Sequence, residues 1–208
     1  MAIQFENLGM LAFDVALEKQ SLTVQGIAQG LQEETVYFLE HPGVFTLGRR
    51  GSAGNLLTEE DFDGKLLNIV RINRGGDITY HGPGQLIGYP HLDLKRRGRD
   101  LYRYLRGLEE CLIRTADFFG VESFQRPGLT GVWTDKGKLA SIGVGVRQWI
   151  TMHGFALNVT TDLRYFRLIN PCGMPECPVT SLQDCLGVPV EMEQVKKVVE
   201  EEFRELFE

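Results

Sequence analysis

The sequence predicts a mixed α/β fold, a sheet with helices packed on it. Three observations support this. Runs of β-branched and aromatic residues outnumber helical stretches. A β-rich block extends from residue 131 to 159 with a hairpin signal inside it. Two amphipathic stretches, 101–119 and 191–206, each offer an apolar face to a sheet. The regular strand–helix alternation of a doubly wound parallel sheet is missing.

Taken in order, residues 3–7 form a short strand and residues 10–31 a helix. Residues 35–39 read as a buried strand, and Val44–Leu47, after Pro42 and Gly43, as another. Thr58 is placed to cap a short helix through Phe62, and residues 66–72 and 86–94 are apolar enough for central strands. Between those strands, residues 74–85 hold four glycines, one proline, one histidine and one arginine. Glycine at that density costs backbone entropy, so it marks unusual φ/ψ or close approach, and the stretch reads as a loop wrapped around a ligand.

Asp100 is the expected N-cap of a helix that Gly120 ends, with Leu101, Leu105, Leu108, Leu112 and Phe119 on one face. Cys111 borders that face as a packed core thiol. A hairpin follows: residues 131–134, a turn through Asp135, Lys136 and Gly137, then residues 138–147. Residues 150–159 continue as a strand. Gly143, Gly145 and Gly154 interrupt these strands where a ligand or another backbone comes close. From Glu191 a last helix turns Val195, Val198, Val199, Phe203 and Leu206 inward.

The chain has 208 residues, 43% hydrophobic and 24% charged, which fits one globular domain or two small ones. It has no long apolar run and no basic segment leading into one near Met1, so neither a transmembrane helix nor a signal peptide is expected, and a cytoplasmic location is. A net charge of −6 argues against nucleic-acid binding. Four cysteines are too few for a disulfide scaffold, so reduced thiols are expected.

Several chemistries compete. The glycine-rich stretch matches neither phosphate-loop nor dinucleotide spacing and leads into a strand, which weakens nucleotide binding. His81 is a general base or a hydrogen-bonded structural residue. Cys172, Cys177, Cys185 and His153 lack zinc spacing, and no metal site is expected. Cys172 stands apart, because Pro171 and Gly173 fix a turn that holds it out of regular structure. A turn thiol still needs a nearby cation to favour the thiolate. Lys138 opens a strand beside small residues and is either that cation or a solvated strand-end lysine.

Together these segments resemble the lipoyl(octanoyl) transferase (LipB) family. The resemblance rests on residues 40–49, 74–85, 131–133, 138–143, 153–159, 171–173 and 179–182, in that order along most of the chain. It implies a single α/β domain over residues 1–208, like that of biotin and lipoate protein ligases. It implies transfer of an octanoyl group, without a cofactor, from octanoyl-acyl carrier protein to a lysine of lipoyl domains. Those acceptors are the lipoyl domains of 2-oxo-acid dehydrogenases and the glycine-cleavage H protein. Cys172 would carry the acyl thioester and Lys138 would lower its pKa. The acyl pocket would be lined by Arg74, Gly75, Gly76, Asp77, Ile78, Thr79, Tyr80 and His81, by Ser141, Ile142 and Gly143, and by Gly154, Phe155 and Ala156.

The competing functions are an ATP-dependent lipoate or biotin ligase, a cysteine-dependent thioester hydrolase, and a silent binding module. Two features depart from the family. Asp77 stands where Gln is usual, and its carboxylate needs to point away from an acyl chain or pair with a residue such as Arg74. Cys177 lies five residues from Cys172 and is a plain loop thiol, its oxidation partner, or a group that accepts the acyl chain in error. Two basic clusters, residues 95–99 with Arg103 and Arg106, and Arg49 with Arg50, are candidate docking points for an acidic carrier.

Overall fold

The computed structural model describes residues 2–174 and 177–208, with Cys172 described in its backbone alone. Its main sheet begins with β1 (Gln4–Met10) and β2 (Thr35–Glu40), which pair in parallel across the helix α1 (Phe13–Ala28). The helix starts after Met10 because that residue completes β1. Two further strands, β3 (Val44–Leu47) and β4 (Ile69–Arg71), pair in parallel in a smaller sheet. Its third strand is β5 (Ile78–His81), antiparallel to β3.

Three expectations change here. Residues 74–85 are not all loop, because four of them form β5 and Gln85 opens the next strand. Residues 66–72 supply only the edge strand β4, and Leu66 is 78% exposed, so their apolar character does not mark a central position. No helix follows Thr58. Its hydroxyl accepts from the Glu60 N–H in a tight turn, and Asp61 takes the N–H groups of Asp63 and Lys65 in the next.

Inside the main sheet lies β6 (Gln85–His91), buried throughout and antiparallel to β2 on one side. Helix α2 (Leu101–Phe118) follows, capped by Asp100 accepting from the Arg103 N–H at 2.9 Å. Strands β7 (Phe124–Arg126), β8 (Leu129–Thr134), β9 (Gly137–Arg147) and β10 (Ile150–Asn158) form an antiparallel meander that returns β10 to β6. The sheet order is β1-β2-β6-β10-β9-β8-β7. The β9–β10 turn uses Gln148 and Trp149, both at positive φ, the geometry a two-residue hairpin needs. A one-turn helix, α3 (Leu182–Leu186), and α4 (Met192–Phe207) complete the chain.

Strand alternation divides the core. Val36, Phe38, Leu86 and Leu157 face α2 and α4, where Leu108, Leu112, Val195, Val199 and Phe203 close the main cluster. Tyr37, Leu39, Ile87, Tyr89 and Ala156 take the other face with Ala16 of α1. Cys111 is fully buried against α4, and burial pushes its thiol pKa up, which suits a packing role. Among the described residues no helix is long and apolar enough to cross a membrane.

Candidate active site

On one face of β9 and β10 four small residues meet. Ser141 pairs with Ala156 and Gly143 with Gly154, so a patch of sheet carries almost no side chain. The strand-borne glycines are there for close approach. A β-carbon on Gly143 would stand 3.0 Å from Cδ of Arg74 and from the carbonyl of Gly75. The 74–76 segment lies directly over it, tied by the Gly75 N–H to the Val144 carbonyl at 2.9 Å. A second loop clasps that segment from outside. The N–H groups of Gly48, Arg49 and Arg50 donate to the carbonyls of Asp77, Arg74 and Gly76.

Between these loops and the bare patch lies a cavity of about 620 Å³. Its wall includes every pocket residue expected from the sequence except Tyr80. Tyr80 points to the opposite side of β5, stacked on Tyr165 at 4.7 Å and packed on Phe45. Phe13, Ile72, Tyr89, His153 and Leu105 complete much of the apolar wall, and exposed Arg49 and Arg50 stand at its edge.

Lys138 lines the same cavity and is 4% exposed, so it is not a solvated strand end. Its Nζ lies 5.3 Å from the centroid of the Trp133 ring. Gly131 makes room for its stem, since a β-carbon there would be 2.8 Å from Lys138 Cε. The Gly131 N–H donates to Oε1 of buried Glu109 at 2.9 Å, and Glu109 pairs with Arg106 at 2.6 Å. Burial raises the Glu109 pKa, while that N–H, Arg106 and Lys138 pull it back. The Lys138 backbone bonds Pro178 and Thr180 on both sides, through Lys138 N–H to Pro178 O at 2.8 Å and Thr180 N–H to Lys138 O at 3.0 Å.

The turn Pro171–Gly173 carries Cys172, whose side chain lies outside the described residues. Its neighbour Gly173 lines the cavity, and the Asn170 N–H ties the turn to the Asn55 carbonyl at 2.7 Å. The suggested link between Cys172 and Cys177 likewise lies outside the described residues. Asp77 also points to this turn. Its carboxylate accepts from Asn55 Nδ2 at 2.9 Å and from the Ile78 N–H at 2.7 Å, which answers its desolvation.

Arg74 is buried and donates to Thr46 O, Thr46 Oγ1 and Gly75 O. His81 lies between Thr46 and Gln85, and burial, His41 and Arg74 lower its pKa to about 3. A ring held neutral that strongly is a poor proton acceptor near pH 7, so its geometry favours positioning over base catalysis. His153, at φ +57, is lowered to about 4 by burial and Arg74. Among the described residues no cluster of His, Cys, Asp and Glu suits a metal ion.

In the basic cluster of residues 95–106, Arg97 and Arg106 hold buried carboxylates, while Lys95, Arg96, Arg99 and Arg103 stay exposed. Arg97 pairs with Glu34 through two bonds of 2.6 and 2.8 Å and reaches the Phe207 carbonyl, Lys95 lies 3.7 Å from Asp93, and Arg106 serves Glu109. Sequence alone assigns no role to Thr46, Asn55, Gln85, Glu109 or Asn158, although Thr46, Gln85 and Asn158 lie within the segments that carry the resemblance. Asn55 and Glu109 carry no local signal.

The family model for the lipoyl protein ligase A/B catalytic domain matches residues 12–204. An octanoyltransferase of Geobacter metallireducens is 55% identical over 95% of this chain and 90% of its own length. The chain belongs to the octanoyltransferase family. It is thus an acyltransferase, similar also to the octanoyltransferase of Syntrophotalea carbinolica, 53% identical over 98% of this chain and 94% of that one. The octanoyltransferase fold seen here extends to distant structures. A bipartite lipoate protein ligase from Thermoplasma acidophilum superposes with a TM-score of 0.67 at 19% identity, over 99% of this chain and 84% of that one. The biotin protein ligase of Aquifex aeolicus gives 0.56 at 11% identity, over 97% and 69%.

Proposed function

We propose that residues 1–208 act as one catalytic domain, in the cytoplasm, moving an octanoyl group from octanoyl-acyl carrier protein to a lysine of a lipoyl domain, through a thioester on Cys172. The observation that supports this most directly is the shared cavity. Lys138, which is buried, and Gly173, next to Cys172, both line a cavity of mixed polar and apolar wall with a bare floor of small residues. Its volume of about 620 Å³ suits a small acyl substrate. A lysine cation there favours the thiolate of a nearby cysteine.

In the first step the Cys172 thiolate attacks the donor carbonyl. A new C–S bond forms, the donor C–S bond breaks, and the carrier thiolate leaves with a proton from Lys138, which becomes a neutral amine. In the second step the neutral acceptor amine attacks, the amide forms, and the Cys172 thiolate departs. Exchange between thioesters is nearly isoenergetic and amide formation is downhill, so neither ATP nor a cofactor is needed. Lys138, as a neutral amine once the thiolate is consumed, takes the proton from the attacking lysine.

The test is intact-mass measurement after incubation with octanoyl-acyl carrier protein and no ATP. A hydroxylamine-labile octanoyl adduct, absent in Cys172→Ser and discharged onto a lipoyl domain, is expected. Transfer that requires ATP and survives Cys172→Ser would make the chain a ligase. Release of free octanoate with acceptor present would make it a hydrolase.

A further inference from the structure

A line of buried polar side chains joins the cavity wall to the segment beside Lys138. Arg74 Nη2 donates to Thr46 Oγ1 at 2.8 Å, and Thr46 Oγ1 lies 3.2 Å from His81 Nε2. His81 Nδ1 lies 2.8 Å from Gln85 Oε1. Gln85 Nε2 donates to Asn158 Oδ1 at 2.8 Å and to the Tyr80 carbonyl at 3.2 Å. Asn158 Nδ2 donates to the Thr180 carbonyl at 2.9 Å, and the Thr180 N–H returns to Lys138 O at 3.0 Å.

The ends fix the direction of every bond. Two carbonyls, of Thr180 and Tyr80, accept only, so the amide nitrogens of Asn158 and Gln85 must face them. Gln85 then presents its oxygen to His81, and His81 Nδ1 must carry the hydrogen. In the neutral ring Nε2 is an acceptor. Thr46 supplies the proton, its own lone pair being taken by Arg74. Each of these side chains is less than 9% exposed, so a broken link leaves a buried polar atom unmet.

We propose that Gln85 and Asn158 are positioning residues, holding His81 in its Nδ1–H form and locking the cavity wall to the Pro178–Thr180 strap that flanks Lys138. For its kinetic readout this rests on the transfer reading above. A second readout does not.

The experiment compares wild type, Asn158→Leu and Gln85→Glu, with Cys111→Ser as a core substitution remote from the chain of bonds. Gln85→Glu keeps an acceptor for His81 but has no N–H for Asn158 or Tyr80, and stands in if Asn158→Leu does not fold. The expected result is a tenfold or larger fall in kcat for octanoyl transfer. KM for octanoyl-acyl carrier protein should stay within threefold, and Cys111→Ser should keep its kcat despite any loss of Tm. In nitrogen-15 histidine spectra, His81 should be a single Nδ1–H tautomer in wild type and in Asn158→Leu, where the Tyr80 carbonyl still orients Gln85, and should draw a second proton at higher pH in Gln85→Glu. A kcat within threefold of wild type, a fall matched by Cys111→Ser, or a His81 spectrum unchanged in Gln85→Glu would overturn the proposal. If wild type transfers nothing, the functional reading fails, while the imidazole spectra still decide the tautomer.

Discussion

A β-carbon on Gly173 would stand 2.9 Å from Oδ2 of Asp77. The glycine also sits at φ +69, where L side chains are strained. Carboxylate and turn therefore fit each other, and this gives Asp77 a role: it and Asn55 form the seat on which the Cys172 turn rests. Gly173→Ala is expected to cost roughly 1–2 kcal/mol from backbone strain and to slow transfer at least tenfold. Asp77→Ala in the same chain should restore part of the rate by removing the clash. Steady-state rates with thermal unfolding of the three variants check this.

Gly131 seats Lys138 in a similar way, at φ +131 with the lysine stem against it. Gly131→Ala should lower the yield of acyl adduct at least tenfold. Lys138→Arg separates the two roles proposed for the lysine: the charge is kept, so Cys172 should acylate, but an arginine does not take a proton, so discharge onto the lipoyl domain should slow. Normal rates in both half-reactions would remove the second role. Single-turnover measurements of each half-reaction are the check.

All four histidines are buried and held below their usual pKa. Burial is the main cause at each, and His81 and His91 fall to about 3 and His153 to about 4. The unfolded chain thus binds more protons than the folded one between about pH 6.5 and 3–4. Stability from these groups is complete above pH 6.5 and is lost on acidification through that window. Each contributes at most about 1.4 kcal/mol per pH unit. The urea midpoint should be flat from pH 7 to 8 and fall steeply from pH 6 to 4.5. His91→Gln, away from the cavity, should make that fall shallower.

Arg49 and Arg50 stand exposed at the cavity edge, whereas Arg97 is locked onto Glu34. Charge reversal at Arg49 and Arg50 should raise KM for octanoyl-acyl carrier protein about tenfold and flatten its salt dependence with Tm unchanged. Arg97→Glu should instead lower stability by roughly 1–3 kcal/mol with KM near that of wild type. Salt titration of KM beside thermal melts separates the two surfaces.

What could be read from sequence was whatever repeats locally. Strands β2, β3, β6 and β10, the β8–β9 hairpin and helices α2 and α4 follow from periodicity and caps, because their inner faces are continuous. Leu66 misled because apolar character does not reveal an edge position. Read as a strand, residues 78–81 alternate, and Tyr80 falls opposite Thr79 and His81. Cavity glycines announce themselves by density. Thr46, Asn55 and Asn158 do not, since their side chains' partners lie 22 to 73 residues away and exist only once the sheets have met.

The turn bearing Cys172 is fastened before it, Asn170 to Asn55, and after it, at Pro178 and Thr180 to Lys138. On the proposed transfer reading, an acyl group held at Cys172 would wait at the cavity between those two ties. Donor and acceptor would then have to occupy the same ground in turn, and an excess of either would block the other.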